Sequence, residues 1–176
     1  MIWAESLVLD ASMTLAWLLT RASPVEQHLA ANCLAAVRNN EAIVPDLWHV
    51  EIANVLCLYE RRRILTAEAS NGFLMLLNSL PIDTDDARIG SRREPIRLLA
   101  RRHGLSGYDA LYLDLALRRD ATLATFDRRL ADACRAAGGR VLAGVDRDRE
   151  NAAQPRFGAE PALGVQRLGE LDRHTL

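Results

Sequence analysis

Residues 108–130 read YDALYLDLALRRDATLATFDRRL, an apolar run broken by acids. The pattern predicts a helix over Gly107–Arg119, a strand over Ala121–Thr125 and a second helix over Arg128–Ala137. Asp109 falls in the first turn of the first helix, among Leu111, Leu113 and Leu115. Asp127 follows the strand-like ATLATF directly. A core prefers carbon at the ends of buried elements, because an unpaired buried carboxylate is expensive.

The same alternation runs back to the N-terminus. SLVL (Ser6–Leu9) reads as a buried first strand ending in Asp10. Helices are expected over Ala11–Thr20 and over Pro24–Arg38, the latter with proline in its first turn. AIV (Ala42–Val44) is a second strand, and Asp46–Arg62 a strong helix with Asp46 placed to cap it. A helix over Thr66–Asn78, a strand over Leu80–Asp83 and a helical segment over Asp86–His103 follow. Pro95 predicts that this last segment is kinked or in two pieces. Gly138 and Gly139 stop the final helix before a strand over Arg140–Leu142. Strands alternating with helices predict an α/β fold, a three-layer α/β/α arrangement around a parallel sheet. Residues 1–146 are expected to form this domain. Residues 147–176, interrupted by Pro155, Pro161, Gly158, Gly164 and Gly169, read as an arm or tail that packs on a partner.

A chain of 176 residues is long enough to bury about 70% of its unfolded surface in one domain. All 22 basic residues are Arg, and there is no Lys. The net charge of −1 neither favours nor excludes nucleic acid, since the distribution of charge decides that. Between residues 61 and 129, 13 Arg stand against 9 acids, a mild basic enrichment suited to phosphate or to a solvated face. Cys33, Cys57 and Cys134 have neither disulfide-framework nor zinc spacing and suit a reducing compartment. MIWAESLVLD lacks a basic leader segment, and no stretch approaches the ~20 apolar residues of a membrane span. A cytoplasmic location is expected.

In open parallel sheets, ligands sit outside the carboxyl ends of the strands. Asp10 and Asp127 both follow strands, and they come together if those strands are neighbours. Asp109, at the start of the helix between, belongs to the same rim. Glu51 lies at helical spacing among Leu47, Val50, Asn54 and Leu58, read as a core-facing stripe. Each acid has a plainer role available. Asp10 and Asp127 suit helix caps, Asp109 suits the helix dipole, and Glu51 suits the surface. Four acids gathered without cations would repel and protonate, a conflict that a hard divalent cation, Mg²⁺ or Mn²⁺, resolves through oxygen ligands. Ser12 and Thr125, each two residues from an acid, are placed to orient a carboxylate or bind phosphate, or simply to cap locally. His49 reads as structural rather than as a ligand. Asp114, roughly 140° around the helix from Asp109 and four residues before Arg118, reads as half of an exposed ion pair.

Four blocks, LVLDAS, PDLWHVEIANVL, GYDALYLDLA and ATLATFDRRLADACRAAGGRVL, occur in this order between Leu7 and Leu142. Together they resemble PIN-domain proteins, and among these the VapC type, the ribonuclease toxin of VapBC toxin–antitoxin pairs. The resemblance places the family's acids at Asp10, Glu51, Asp109 and Asp127, and its polar helpers at Ser12, Asn54 and Thr125. It implies Mg²⁺ or Mn²⁺, RNA cleavage, a homodimer and a cognate VapB-like antitoxin. The segment after Leu142 extends beyond the resemblance.

Rival readings differ in testable residues. An aspartyl-phosphate phosphatase expects an acid two residues after its nucleophile, where this chain has Ser12. A receiver-like or otherwise catalytically silent metal-binding module expects, in the receiver case, a lysine across from its phosphoacceptor, and this chain has none.

Overall fold

Leu7–Leu9 forms β1, and all three of its residues are buried. Continuous apolar sequence of this kind belongs to a strand covered on both faces. The computed structural model describes residues 6–20 and 23–142; the expected extension over 147–176 lies outside them. The remaining strands are β2 (Ala42–Val44), β3 (Ile82–Thr84), β4 (Thr122–Ala124) and β5 (Arg140–Val141). They form one sheet in the order β3-β2-β1-β4-β5, with every pairing parallel. Helices α1 (Ala11–Leu15), α2 (Pro24–Val37), α3 (Asp46–Arg61), α4 (Ala67–Asn78), α5 (Ile89–His103), α6 (Gly107–Arg118) and α7 (Arg128–Ala136) connect them. The α/β class with a parallel central sheet is as the alternation of elements predicts.

The strand order places the site. From β1 the chain builds outward to β2 and β3 on one side, then returns to lay β4 and β5 on the other. The reversal falls between β1 and β4, whose register pairs Leu9 with Ala124. At such a switch point the loops leaving two neighbouring strands diverge, opening a crevice at their carboxyl ends. Asp10 N–H donates to the Ala124 carbonyl at 3.0 Å, so the ladder runs one residue past β1 and carries Asp10 to that edge.

Several local expectations are corrected. The helix expected over Ala11–Thr20 ends at Leu15 and continues as a tighter turn, with Trp17 N–H bonding Thr14 O and Leu18 N–H bonding Leu15 O. Pro45 rather than Asp46 is the N-cap of α3, and Asp46 makes no capping bond. The third strand begins at Ile82, because Pro81 offers no N–H to the ladder and the chain turns there, Ile82 N–H bonding Leu80 O at 2.8 Å. Helix α5 is continuous through Pro95. A proline removes one hydrogen bond, which the remaining turns and the packing of α5 on α6 tolerate. Gly104, at φ 64°, ends α5 in the left-handed conformation that favours glycine.

The stripe along α3 is also displaced. Trp48, Ile52, Leu56 and Tyr59 are its buried residues, whereas Val50 is 64% exposed. Leu47, Glu51, Val55 and Leu58 flank that ridge and are half-buried. Glu51 therefore lies at the boundary between core and solvent, where a carboxylate can be held without full desolvation.

Asp114 departs most from expectation. It is buried, not exposed. Arg118 is its partner as the i,i+4 spacing predicts, at 3.0 Å, but Arg92 of α5 adds a second grip with bonds of 2.5 and 3.0 Å. The reason is that α5 covers the outer side of α6, so a side that reads as solvent-facing is enclosed. Arg118 continues to Asp85, which also binds Arg119. Replacing Asp114 by Ala leaves two guanidiniums without their shared acceptor. A loss of about 2–3 kcal/mol, the scale of hydrogen bonds to charged groups, is expected in urea-unfolding measurements.

Candidate active site

Asp10 is a carboxylate at the end of a fully buried strand. It occupies the N-cap position of α1 but makes no side-chain capping bond; its carboxyl turns toward β4 instead. Thr125 Oγ1 donates to its Oδ2 at 2.7 Å, and Ser12 Oγ donates to the same oxygen. Ser12 Oγ in turn accepts from the Phe126 backbone N–H at 3.0 Å, and Thr125 Oγ1 accepts from Asp127 N–H at 2.9 Å. Two hydroxyls thus tie the ends of β1 and β4 into one unit. Of the roles open to them, both Ser12 and Thr125 orient the Asp10 carboxylate, acting across the crevice.

Burial pushes the Asp10 carboxyl above its ordinary value. The Ser12 and Thr125 bonds pull it back, and the negative charges of Asp127 and then Asp109 push it up further. These three acids therefore face one another electrostatically across the rim. Asp127 does cap α7, accepting from Leu130 N–H through Oδ1 at 3.0 Å. Its capping role and its place beside Asp10 coexist.

Asp109 is set by a cap of its own. Ser106 is the N-cap of α6, accepting from Asp109 N–H at 3.1 Å and donating to Asp109 Oδ2 at 2.7 Å. Glu51 reaches the group through Tyr112, whose hydroxyl donates to Glu51 Oε2 at 2.5 Å. Tyr112 is buried. Its phenol is held far above its ordinary pKa by burial, then by the charges of Asp10 and Glu51, so it is a permanent donor between them. Trp48 positions this part of α3: its indole N–H donates to Thr14 Oγ1, which donates to the Asp10 carbonyl. Asn54 lies one turn beyond Glu51 and is exposed. His49 pairs with Thr84 at 2.8 Å, a structural role.

Ser106 and Tyr112 are absent from the sequence reading, and both carried a signal. SGYD is a Ser with an acid three residues on, the spacing of a reciprocal N-cap. A tyrosine in an otherwise apolar helix needs a partner for its hydroxyl when buried. Of the arginines that the sequence offers for phosphate, Arg92, Arg118 and Arg119 are engaged by Asp114, Asp85 and Asp86, the Arg118–Asp114 pair as its spacing predicts.

Among the described residues, no three His, Cys, Asp or Glu side chains converge into a ready-made metal cluster. The donors at the rim are all oxygens, and their mutual repulsion at Asp10 is what a hard cation relieves. In chemical kind they fit Mg²⁺ or Mn²⁺, which takes one or two carboxylates and keeps several waters.

Fold and rim define a parallel α/β protein with an all-oxygen acidic site at its topological switch point. Residues 7–136 match the family model of the PIN domain, and the chain belongs to that family. PIN domains are typically nucleases and generally use divalent metals. Among solved structures it is similar to PAE2754 from Pyrobaculum aerophilum, at 22% identity and a TM-score of 0.58, covering 79% of this chain and 85% of that one. It is also similar to FitAcB from Neisseria gonorrhoeae, at 17% identity and a TM-score of 0.53, covering 77% and 95%. These likenesses concern the fold. A search of curated proteins finds no match. Among the described residues no helix is long and apolar enough to cross a membrane.

The raised pKa of Asp10 fixes a sign. A carboxyl whose folded-state pKa lies above its unfolded value destabilises the fold once ionised, so stability falls as pH rises through that value. Asp10→Asn is expected to raise the melting temperature of the metal-free protein at pH 7. That advantage shrinks as the pH is lowered toward the ordinary carboxylate range, a trend readable by calorimetry across pH.

Proposed function

We propose that this protein is a Mg²⁺- or Mn²⁺-dependent endoribonuclease of the VapC type, the toxin of a toxin–antitoxin pair. The observation that carries the nuclease reading is the buried Asp10 carboxylate, held by Ser12 and Thr125 at the switch point and flanked by Asp127 and Asp109. The VapC assignment rests on the four ordered sequence blocks.

In this reading Asp10, Asp109 and Asp127 hold the cation, with Glu51 a direct or water-mediated ligand. A cation bound there neutralises charge at the scissile phosphate and lowers the pKa of a water molecule. The chain's own residues prepare that chemistry. Ser12 and Thr125 fix the rotamer of Asp10. Ser106 fixes Asp109, the first turn of α7 fixes Asp127, and Tyr112 fixes Glu51. Preorganised carboxylates cost no rearrangement at the moment of reaction. Asn54 contributes from the solvent side of α3. RNA is the substrate, a cognate VapB-like antitoxin the inhibitor, a homodimer the assembly and the cytoplasm the setting.

Incubation of the protein with RNA and Mn²⁺ is expected to yield fragments with 5′-phosphate and 3′-hydroxyl ends, since water rather than the ribose 2′-OH is the nucleophile. Asp10→Asn and Asp109→Asn should each lower the rate by roughly 100-fold or more, beyond what loss of a supporting partner costs a metal site. Cleavage that persists in EDTA, or in the double variant, would sink the reading. Co-purification with the product of a small adjacent reading frame tests the toxin assignment separately.

Tyr112→Phe keeps the ring and deletes the hydroxyl. It is expected to lower activity about 10-fold at limiting Mn²⁺, the scale of outer-shell partners, with recovery at high Mn²⁺. A loss that Mn²⁺ does not restore would assign Tyr112 to packing alone.

A further inference from the structure

Of the aromatic side chains among the described residues, one is exposed: Tyr108, at 46%. Trp48, Tyr59, Phe73 and Tyr112 are buried. Leaving a large ring in water forgoes stabilisation that burial would provide, so its position is informative. Tyr108 directly precedes Asp109 in the first turn of α6. Successive helical residues diverge by about 100°, so the ring leaves the helix beside the carboxylate rather than on top of it.

Another group borders the same edge. Arg129 Nη2 donates to the Gly104 carbonyl at 2.7 Å, drawing the first turn of α7 onto the loop that leads into α6. Arg128, next to it and immediately after Asp127, is exposed. Unlike Arg92, Arg118 and Arg119, it makes no ion pair among the described residues. An exposed aromatic ring and a free guanidinium thus flank the acids from two helices. Single-stranded nucleic acid is bound by this combination, bases stacking on rings and phosphates meeting cations.

We propose that Tyr108 is a stacking platform for an unpaired base next to the scissile phosphate, with Arg128 contacting an adjoining phosphate. Stacking on Tyr108 requires a base that is unpaired where it meets the ring. The inference rests on reading the acidic rim as an RNA-cleaving site.

Fluorescence anisotropy with a labelled single-stranded oligoribonucleotide tests it. The full chain is used in EDTA and in an Asp10→Asn background, which prevents cleavage and removes part of the acidic repulsion. Tyr108→Ala is expected to weaken binding by about 5- to 100-fold, the span of stacking one base, whereas Tyr108→Phe and Tyr108→Trp bind as the parent does. Arg128→Ala should flatten the slope of log affinity against log salt by about 0.7, one phosphate contact on a single strand. A duplex of the same sequence should be indifferent to Tyr108→Ala. The proposal is overturned if Tyr108→Ala binds the single strand as the parent does, if Phe is as weak as Ala, or if a protein partner but no RNA senses the substitution. Its failure is distinguishable from that of the nuclease reading: a parent chain that binds RNA through Tyr108 yet never cleaves it with Mn²⁺ overturns only the latter.

Discussion

A carboxylate at the end of a fully buried strand is held by a hydroxyl 115 residues further along the chain. That bond between Asp10 and Thr125 is the constraint on which the rest of the site depends. It requires β1 and β4 to be neighbours in register, and it requires Ser12 to close the same loop from the other side. Without these donors the carboxyl would be a buried charge lacking compensation. With them it remains costly, as its raised pKa records. The molecule retains an ionisable carboxyl at a place where carbon would be more stable, and such perturbed groups cluster at functional sites.

Around Asp10, each further acid is held by a different local device. Asp127 is fastened by capping α7, Asp109 by the reciprocal bonds with Ser106, and Glu51 by the Tyr112 hydroxyl. Caps are usually read as ornaments of helix stability, but here they also fix the direction of the rim carboxylates. The helix starts α6 and α7 meet at the switch-point crevice for the same topological reason that β1 and β4 do. Regular secondary structure therefore aims the acids, leaving the loops little to decide.

A second set of acids shows what structural use of the same side chains looks like. Asp114 and Asp85 are gripped by Arg92, Arg118 and Arg119 between α5, α6 and the end of β3. There each carboxylate has cations within reach. At the rim, Asp10 has hydroxyls and other acids. Compensating arginine holds Asp114 and Asp85, whereas hydroxyls hold Asp10, a contrast that burial alone does not show, since Asp10 and Asp114 are both buried.

Much of this was legible in order of appearance. Apolar tetrads ending in acids, the 3.6-residue periodicity and the glycine stop at Gly138 determine the elements, and their alternation determines a parallel sheet. Asp10, Asp109 and Asp127 stand out because each sits at the end of an apolar element. Asn54 and the stripe along α3 were less legible, because one helical period fits several faces and only packing chose Trp48, Ile52 and Leu56. The burial of Asp114 was invisible for a related reason: the sequence of α6 does not say that α5 will cover it. Likewise, nothing local pairs Tyr112 with Glu51, 61 residues apart. The chain by itself determined which residues carry charge at element ends. The tertiary structure decided which charges are compensated, because compensation is a matter of distance between elements that the backbone joins only through the whole fold.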